Sequence, residues 1–437
     1  MPAFAATAAE RQQAVTADPN GLTGALAAFL LLRTFDAEPS ASEDTVAETE
    51  WPPMLDELAA HLATGLERAV SRAIEGADHV AVLTGGGVDS GALLAMVVAK
   101  ARGASVKHVE AVALHFGGPG DDRPHLSRLC GDLGLSPVRV TPLEAVPFFA
   151  QALSLGGRPD PWPTTAFELA LASRARDLGA TRILAGFGGD HVFNGEGRDL
   201  ALLVKQGHPV RAVREALALQ LPEGGSGLAK LRDFLVAPLL ADHVPHSLRR
   251  ARRIRRQQQP WMGPAMLQFV GRHFSARPGR SIAPTTPRAR YHEWVTSPWR
   301  RELELRREAL ERTIGVSRRN PYLDPELLRV LARIPPHCLL ADGLQKGLFR
   351  RAIARWVPES LRLRRDKAWL EPAIETLVRH PTVAPQLEAL LDARELAARG
   401  LVNSRFSHIV RYETSRSASA WVHFWPALSA EAWLRGA

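Results

Sequence analysis

The chain has 437 residues, 46% of them hydrophobic and 23% charged, with a net charge of +9 and an isoelectric point near 10.2. That length holds two domains, or one large domain with an appendage, and the composition excludes a disordered or collagen-like chain. The longest apolar run, Gly24 to Leu32, is too short to cross a bilayer and follows no basic start with a cleavage site, so no membrane association and a cytoplasmic location are expected. Cys130 and Cys338 offer neither a disulfide framework nor metal-ligand spacing and are expected to be buried or incidental thiols.

Residues 1–52 are rich in Ala, Thr, Glu and Pro and are expected to form a loosely held arm, with one short helix at Ala25 to Leu32. From Leu55 the positions Leu58, Leu62, Leu66, Val70 and Ile74 recur at helical spacing, which predicts a helix leading into the strand "VAVLT". Strands and helices then alternate: a helix from Ser90, "VEAVALHF", a helix near Leu126 to Leu133, "VRV", a helix from Thr164 to Leu178 and "TRILAGF". This pattern predicts an α/β domain over residues 53–200, built on a doubly wound parallel sheet that binds ligands beyond the carboxyl ends of its strands. After about residue 200 strand signals vanish, and residues 201–437 are expected to form an all-helical half that completes the site, with loops at Gly224 to Gly227 and Pro278 to Pro287.

The stretch "VAVLTGGGVDSGALLAM", Val80 to Met96, runs from strand through three glycines into a helix. Such a turn points backbone N–H groups at an anion. It is not a dinucleotide fingerprint, because Ser90 stands where the third glycine is needed, and it lacks the Gly-Lys pair of a Walker A loop. What remains is Gly-Gly-x-Asp-Ser, with Gly86, Gly87, Asp89 and Ser90. A second glycine turn, "ILAGFGGDHVFNG", puts Asp190 after another strand. Two carboxylates at neighbouring strand ends are how Mg²⁺ is held while it also grips phosphates. The run "RRARRIRR", Arg249 to Arg256, reads as a solvated helix face, with a docking surface for an acidic peptide or partner as the alternative. It lacks the interleaved aromatic residues expected for nucleic acid.

The Gly-Gly-x-Asp-Ser loop resembles the pyrophosphate loop of the N-type ATP pyrophosphatases. Together with "GFGGDH", "NPYLDPELLRVLARIPP", "KGLFRRA" and "LRRDKAW", in that order, it makes the chain resemble the synthetase domain of the asparagine synthetases, β-lactam synthetases and lasso peptide cyclases from about Leu55 onward. The stretches "PWMGPAM" and "WVHFWPALSAEAWLRG" are most similar to the lasso cyclase branch. The resemblance implies an adenine nucleotide α-hydrolase-like fold and an AMP-forming carbon–nitrogen ligase that uses ATP and Mg²⁺. A substrate carboxylate is adenylated and then joined to an amine. The implied metal ligands are Asp89 and Asp190, and the implied ATP and pyrophosphate contacts are Thr84, Gly85, Gly86, Gly87, Asp89, Ser90, Gly188, Lys346 and Arg350. Lys367 would stabilise the oxyanion and departing AMP. The substrate is expected to be a small molecule or a precursor peptide, with a peptidase or leader-binding protein as a further partner; macrolactam closure is the leading case, an asparagine synthetase-like or β-lactam synthetase-like ligase acting on a small molecule is the alternative, and a tRNA-modifying enzyme is the alternative of another class.

Departures from the family pattern narrow this reading. Phe187 fills the variable position of Gly-x-Gly where asparagine synthetases carry Glu and β-lactam synthetases Tyr. His191 replaces the usual Glu after the metal-binding Asp and reads either as a general base for the amine or as a hydrogen-bonding substitute. Asp121 and Asp122 fall where the family keeps an acidic pair, with a role in metal binding or architecture. Asp324 is expected to start a helix and pack the domains together. Residues 1–52, a remnant of a glutaminase-domain junction, are too few for that domain and carry no cysteine nucleophile, so glutamine hydrolysis is not expected.

Overall fold

The computed structural model describes residues 19–35, 54–103, 105–118, 121–220, 225–276, 291, 295, 297–365 and 370–436. Helix α1 (Pro19–Leu32) comes first, and α2 (Leu55–Ile74) buries the stripe Leu58, Leu62, Leu66, Val70 and Ile74 that its spacing demands. Strand β1 (His79–Thr84) leads into α3 (Val88–Ala101), β2 (His108–Leu114), α4 (Arg123–Leu133), β3 (Val138–Val140), α5 (Thr165–Asp177), β4 (Arg182–Ala185) and the one-turn α6 (Gly189–Val192). The remainder is mainly helical. Its principal elements are α7 (His246–Gln257), α8 (Pro264–Ala276), α9 (Pro298–Ile314), strand β5 (Ser317–Arg319), α10 (Pro325–Leu331), α11 (Gly347–Ala352), α12 (Phe406–Arg416) and α13 (Ser419–Leu434). Among the described residues no helix is long and apolar enough to cross a membrane.

The five strands form one parallel sheet in the order β3-β2-β1-β4-β5, so the α/β doubly wound arrangement holds. Strand alternation feeds its two faces. Val80, Val82, Ala111, Ala113 and Leu184 pack with α2 and α3, whereas Ala81, Leu83, Val112, Ile183 and Ala185 pack with α5, α1 and α13. Both faces are covered, which is why these strands read as apolar runs. The chain moves outward from β1 to β3 and then returns to place β4 on the other side of β1. The crevice of this topological switch therefore opens between the carboxyl ends of β1 and β4, where the two glycine turns emerge.

Two expectations are corrected. The helical half does supply a strand, β5, which pairs with β4 from Arg182↔Ser317 to Leu184↔Arg319. Three residues of sequence Ser-Arg-Arg carry no apolar alternation, so nothing local announces that strand. The described part of the amino-terminal arm is also not loosely held. Leu26 and Phe29 are fully buried in the core that α13 closes, and the Arg33 guanidinium donates to the carbonyls of Pro161 and Val422 at 2.9 and 3.0 Å. The loop at Pro278 to Pro287 and residue Gly224 lie outside the described residues.

Candidate active site

The turn after β1 closes on itself before it meets any ligand. The Gly85 N–H donates to Ser90 Oγ at 3.1 Å, and Thr84 Oγ1 donates to the Gly85 carbonyl at 3.1 Å. Behind the turn, Arg364 donates to the Gly86 carbonyl at 2.6 Å and pairs with Asp122, with its own side chain only 2% exposed. A Cβ on Gly86 would run into the Asp122 carbonyl, so this close approach accepts only glycine. Asp89 is positioned from the other side, where the buried Tyr322 hydroxyl donates to its backbone carbonyl at 2.7 Å. Tyr322 packs in turn against Phe193, and Phe193 stacks on Phe349 with centroids 4.2 Å apart. This buried trio joins the β4 turn, the "PYLD" segment and α11 into one support.

Lys346 draws the two carboxylates together. Its Nζ pairs with Asp89 and lies 2.7 Å from Asp190 Oδ1, which places carboxylates from separate strand ends around one cation. The segment that aims it is contorted: Asp342, Gly343 and Lys346 have φ of 62°, 68° and 58°, and a Cβ on Gly347 would overlap the Ala341 carbonyl. A left-handed lysine costs about 1–3 kcal/mol and is held where the surroundings over-determine it. Here Arg351 clamps the bend, bonding Asp342 at 2.5 and 2.7 Å and Asp56 at 2.6 Å. Arg350 donates to the Gln345 carbonyl at 2.9 Å, and burial lowers its pKa.

These groups wall a cleft of about 860 Å³ that reaches from the ends of β2 and β3 to β5. Thr84, Gly85, Gly87, Asp89, Ser90, Asp190, His191, Lys346 and Arg350 all line it, as do Phe187 and Arg365. Gly86 and Gly188 do not. Gly86 carries the Arg364 contact, and Gly188 makes a left-handed turn, φ 95°, against Leu323. Lys367 lies outside the described residues. The His191 ring sits edge-on to Trp299 with centroids 4.2 Å apart, and Trp299 stacks on Phe187, so this end of the cleft has an aromatic corner.

Each member of the acidic pair after β2 is bound to an arginine. Asp121 accepts from the Arg123 backbone and guanidinium at 2.9 and 2.8 Å, and Asp122 holds Arg364. Asp324 caps α10, accepting from the N–H groups of Glu326 and Leu327 at 3.0 and 3.1 Å, and binds Arg72 of α2 at 2.9 Å. Cys130 and Cys338 are both buried, and burial pushes each thiol up to about 11. Neither is poised as a nucleophile.

The β5 end of the cleft holds a buried charge quartet that sequence reading missed. Arg306 reaches Asp160 at 3.1 Å and Glu168 at 2.8 Å, and Arg318 reaches Glu168 at 2.7 Å. Burial pushes Glu168 up, but the two guanidiniums outweigh it and hold the carboxyl down to about 2. A carboxyl whose folded-state pKa lies below its ordinary value stabilises the fold above that value and loses the contribution as pH falls through the folded one. Melting temperature is therefore expected to drop from about pH 4.5 toward about 2, and Glu168→Gln, less stable at neutral pH, to show a flatter drop in calorimetry across that window. A parallel drop in both proteins would place the acid sensitivity elsewhere.

Among the described residues no three His, Cys, Asp or Glu side chains converge on a metal site. Two carboxylates suit Mg²⁺, a hard cation that keeps water and takes phosphate oxygens for most of its shell. Asp89 and Asp190 fit that use. Lysine and arginine outnumber carboxylates along the same wall, as a polyphosphate requires.

A parallel sheet covered by helices on both faces, with glycine turns at its switch point, defines a doubly wound α/β protein. The sequence pattern of the asparagine synthase family matches residues 61–435. The chain belongs to that family, whose members use ATP, typically with Mg²⁺, in ATP-dependent ligase chemistry of the amide-forming type. No curated protein matches the chain. Among solved structures it is similar to the U34-tRNA thiolase NcsA from Methanococcus maripaludis with its [4Fe-4S] cluster, at 12% identity and a TM-score of 0.24, over 64% of this chain and 79% of that one.

Proposed function

We propose that the chain is an AMP-forming carbon–nitrogen ligase that adenylates a carboxylate and joins it to an amine, with closure of a precursor peptide into a macrolactam as its reaction. The carrying observation is the convergence of Asp89 and Asp190 on Lys346 beside the Gly85–Ser90 turn, at one end of a cleft large enough for a nucleotide. In this reading the turn's N–H groups and Ser90 Oγ take the pyrophosphate end of ATP, and Asp89 and Asp190 hold Mg²⁺, which supplies charge neutralisation on the phosphates when bound. Lys346 and Arg350 contact phosphate as negative charge grows on the leaving group.

The substrate carboxylate attacks the α-phosphate and pyrophosphate leaves. The amine then attacks the acyl carbon and AMP leaves. Lys367 takes the oxyanion and departing AMP, as the family resemblance implies, and His191 at the aromatic corner accepts the proton of the incoming amine. Phe187 and Trp299 give that corner an apolar surface suited to a peptide side chain, which favours a peptide over aspartate as substrate.

The test supplies precursor peptide, ATP and Mg²⁺ and follows nucleotide products and intact peptide mass. AMP and pyrophosphate in step with loss of one water from the peptide are expected. ADP and phosphate as products would overturn adenylation. AMP release with a small-molecule amide, and no change in the peptide, would overturn the macrolactam assignment alone.

A further inference from the structure

A second cavity, about 730 Å³, lies in the helical half and shares no lining residue with the cleft. Its walls include Pro260, Trp261, Tyr412, His423 and Phe424, which brings "PWMGPAM" and "WVHFWPALSAEAWLRG", the two stretches the ligase chemistry leaves unused, to one place. A smaller cavity of about 110 Å³ adjoins it, and Gln259, Trp261, His423 and Phe424 wall both. Trp261 is 6% exposed, and its indole N–H is buried with no acceptor. Tyr412, at the other wall, is 51% exposed, an aromatic ring left in water at the mouth of an aromatic groove.

The groove meets the arginine run. Helix α7 ends at Gln257, which lines the smaller cavity, and Gln259 to Trp261 follow directly into the wall of the larger one. Arg252, Arg255 and Arg256 fall at helical spacings of three and four, so they share one exposed stripe, with exposed Leu248 a turn earlier. No carboxylate pairs with any of these three arginines or with Arg250 among the described residues. Four exposed cations without counter-charges among the described residues, beside an apolar slot, form a patterned surface, positive along the helix and aromatic at its end.

We propose that this surface docks an acidic peptide segment, which seats one aromatic or large aliphatic side chain in the groove and lays its carboxylates along the arginine stripe. Charge complementarity selects acidic residues. A nucleic acid fits less well. The stripe itself carries no aromatic ring for base stacking, and Glu413 on the groove wall confines the ligand's carboxylates to the arginine stripe, which leaves the groove for an uncharged side chain. The ligand is a segment of a partner protein, held away from the reacting centre.

The probe is a fluorescein-labelled peptide of one tryptophan flanked on both sides by glutamates, titrated with the full chain and read by anisotropy, so no turnover enters the result. Saturable binding is expected, weakened about tenfold or more by Arg252→Glu/Arg255→Glu and by Tyr412→Ala, and weakened by added salt. The same peptide with lysines for glutamates, or alanine for tryptophan, is expected to bind at least about tenfold more weakly. Thermal melting of each variant confirms that the fold is retained, since all three substituted side chains are exposed. Unchanged affinity in either variant, no binding of the acidic peptide, or binding of a single-stranded RNA oligonucleotide in its place would overturn the proposal.

Discussion

Asp89→Asn and Asp190→Asn are each expected to lower AMP-forming turnover by about a hundred- to a thousand-fold, the same order as the loss of one preorganised group that stabilises charge at a reacting centre. The two side chains meet at Lys346, one from the turn after β1 and one from the turn after β4. Each asparagine keeps the size and polarity of the site but leaves Lys346 opposite a single carboxylate. The fold should survive, because Asp89 is fixed through its backbone carbonyl by Tyr322 and Asp190 is solvent-exposed. If the pair acts as a unit, the double variant should lose little more than either single one. Pyrophosphate release at limiting Mg²⁺ measures this, with circular dichroism as the control for folding. Near wild-type turnover in either single variant would remove that carboxylate from the metal site.

Arg306→Met should be the most destabilising substitution at the cleft, costing about 3–5 kcal/mol, because removing one partner of a buried ion pair strands the other. Asp160, 3% exposed, would keep only the Thr165 hydroxyl and the Trp162 N–H, and Glu168 would keep only Arg318. Methionine matches the aliphatic stem, so the loss reports charge rather than volume. Asp160→Asn in the same chain should recover part of it, since the stranded charge is gone. Chemical denaturation of the two single variants and the double variant measures the coupling. Additive losses would mean that Arg306 and Asp160 are not coupled and that Arg306 acts through Glu168 and Thr165 instead. The quartet ties α5 and α9 to β5, and Glu168 and Arg318 face the cleft, so substrate affinity should weaken along with stability.

Legibility in the sequence followed the range of the interaction. The stripe of α2, the apolar strands and the two glycine turns are local patterns, and each element formed where its period placed it. Asp324 was legible as a helix start because capping involves a residue and the N–H groups two and three positions on. Arg364 was not. Its partners, Gly86 and Asp122, stand 278 and 242 positions away, and nothing in "LRRDKAW" distinguishes Arg364 from Arg365. The quartet of Asp160, Glu168, Arg306 and Arg318 was hidden for the same reason, and its charged residues would pass for surface positions.

By itself the sequence determined the α/β class, the glycine turn at Gly85 to Ser90, the second glycine turn with its carboxylate at Asp190 and membership of the asparagine synthase family, because periodicity, turn chemistry and motif order all lie along the chain. Tertiary structure alone decided that Ser317–Arg319 joins the sheet, that α1 is a core helix and that Asp121 and Asp122 are bound to arginines. It also decided that Lys346 stands between two carboxylates and that "PWMG" and "WVHF" form one groove at the end of the arginine helix. Each of these depends on which distant side chain arrives within a few ångströms, and packing sets that distance where no local pattern can.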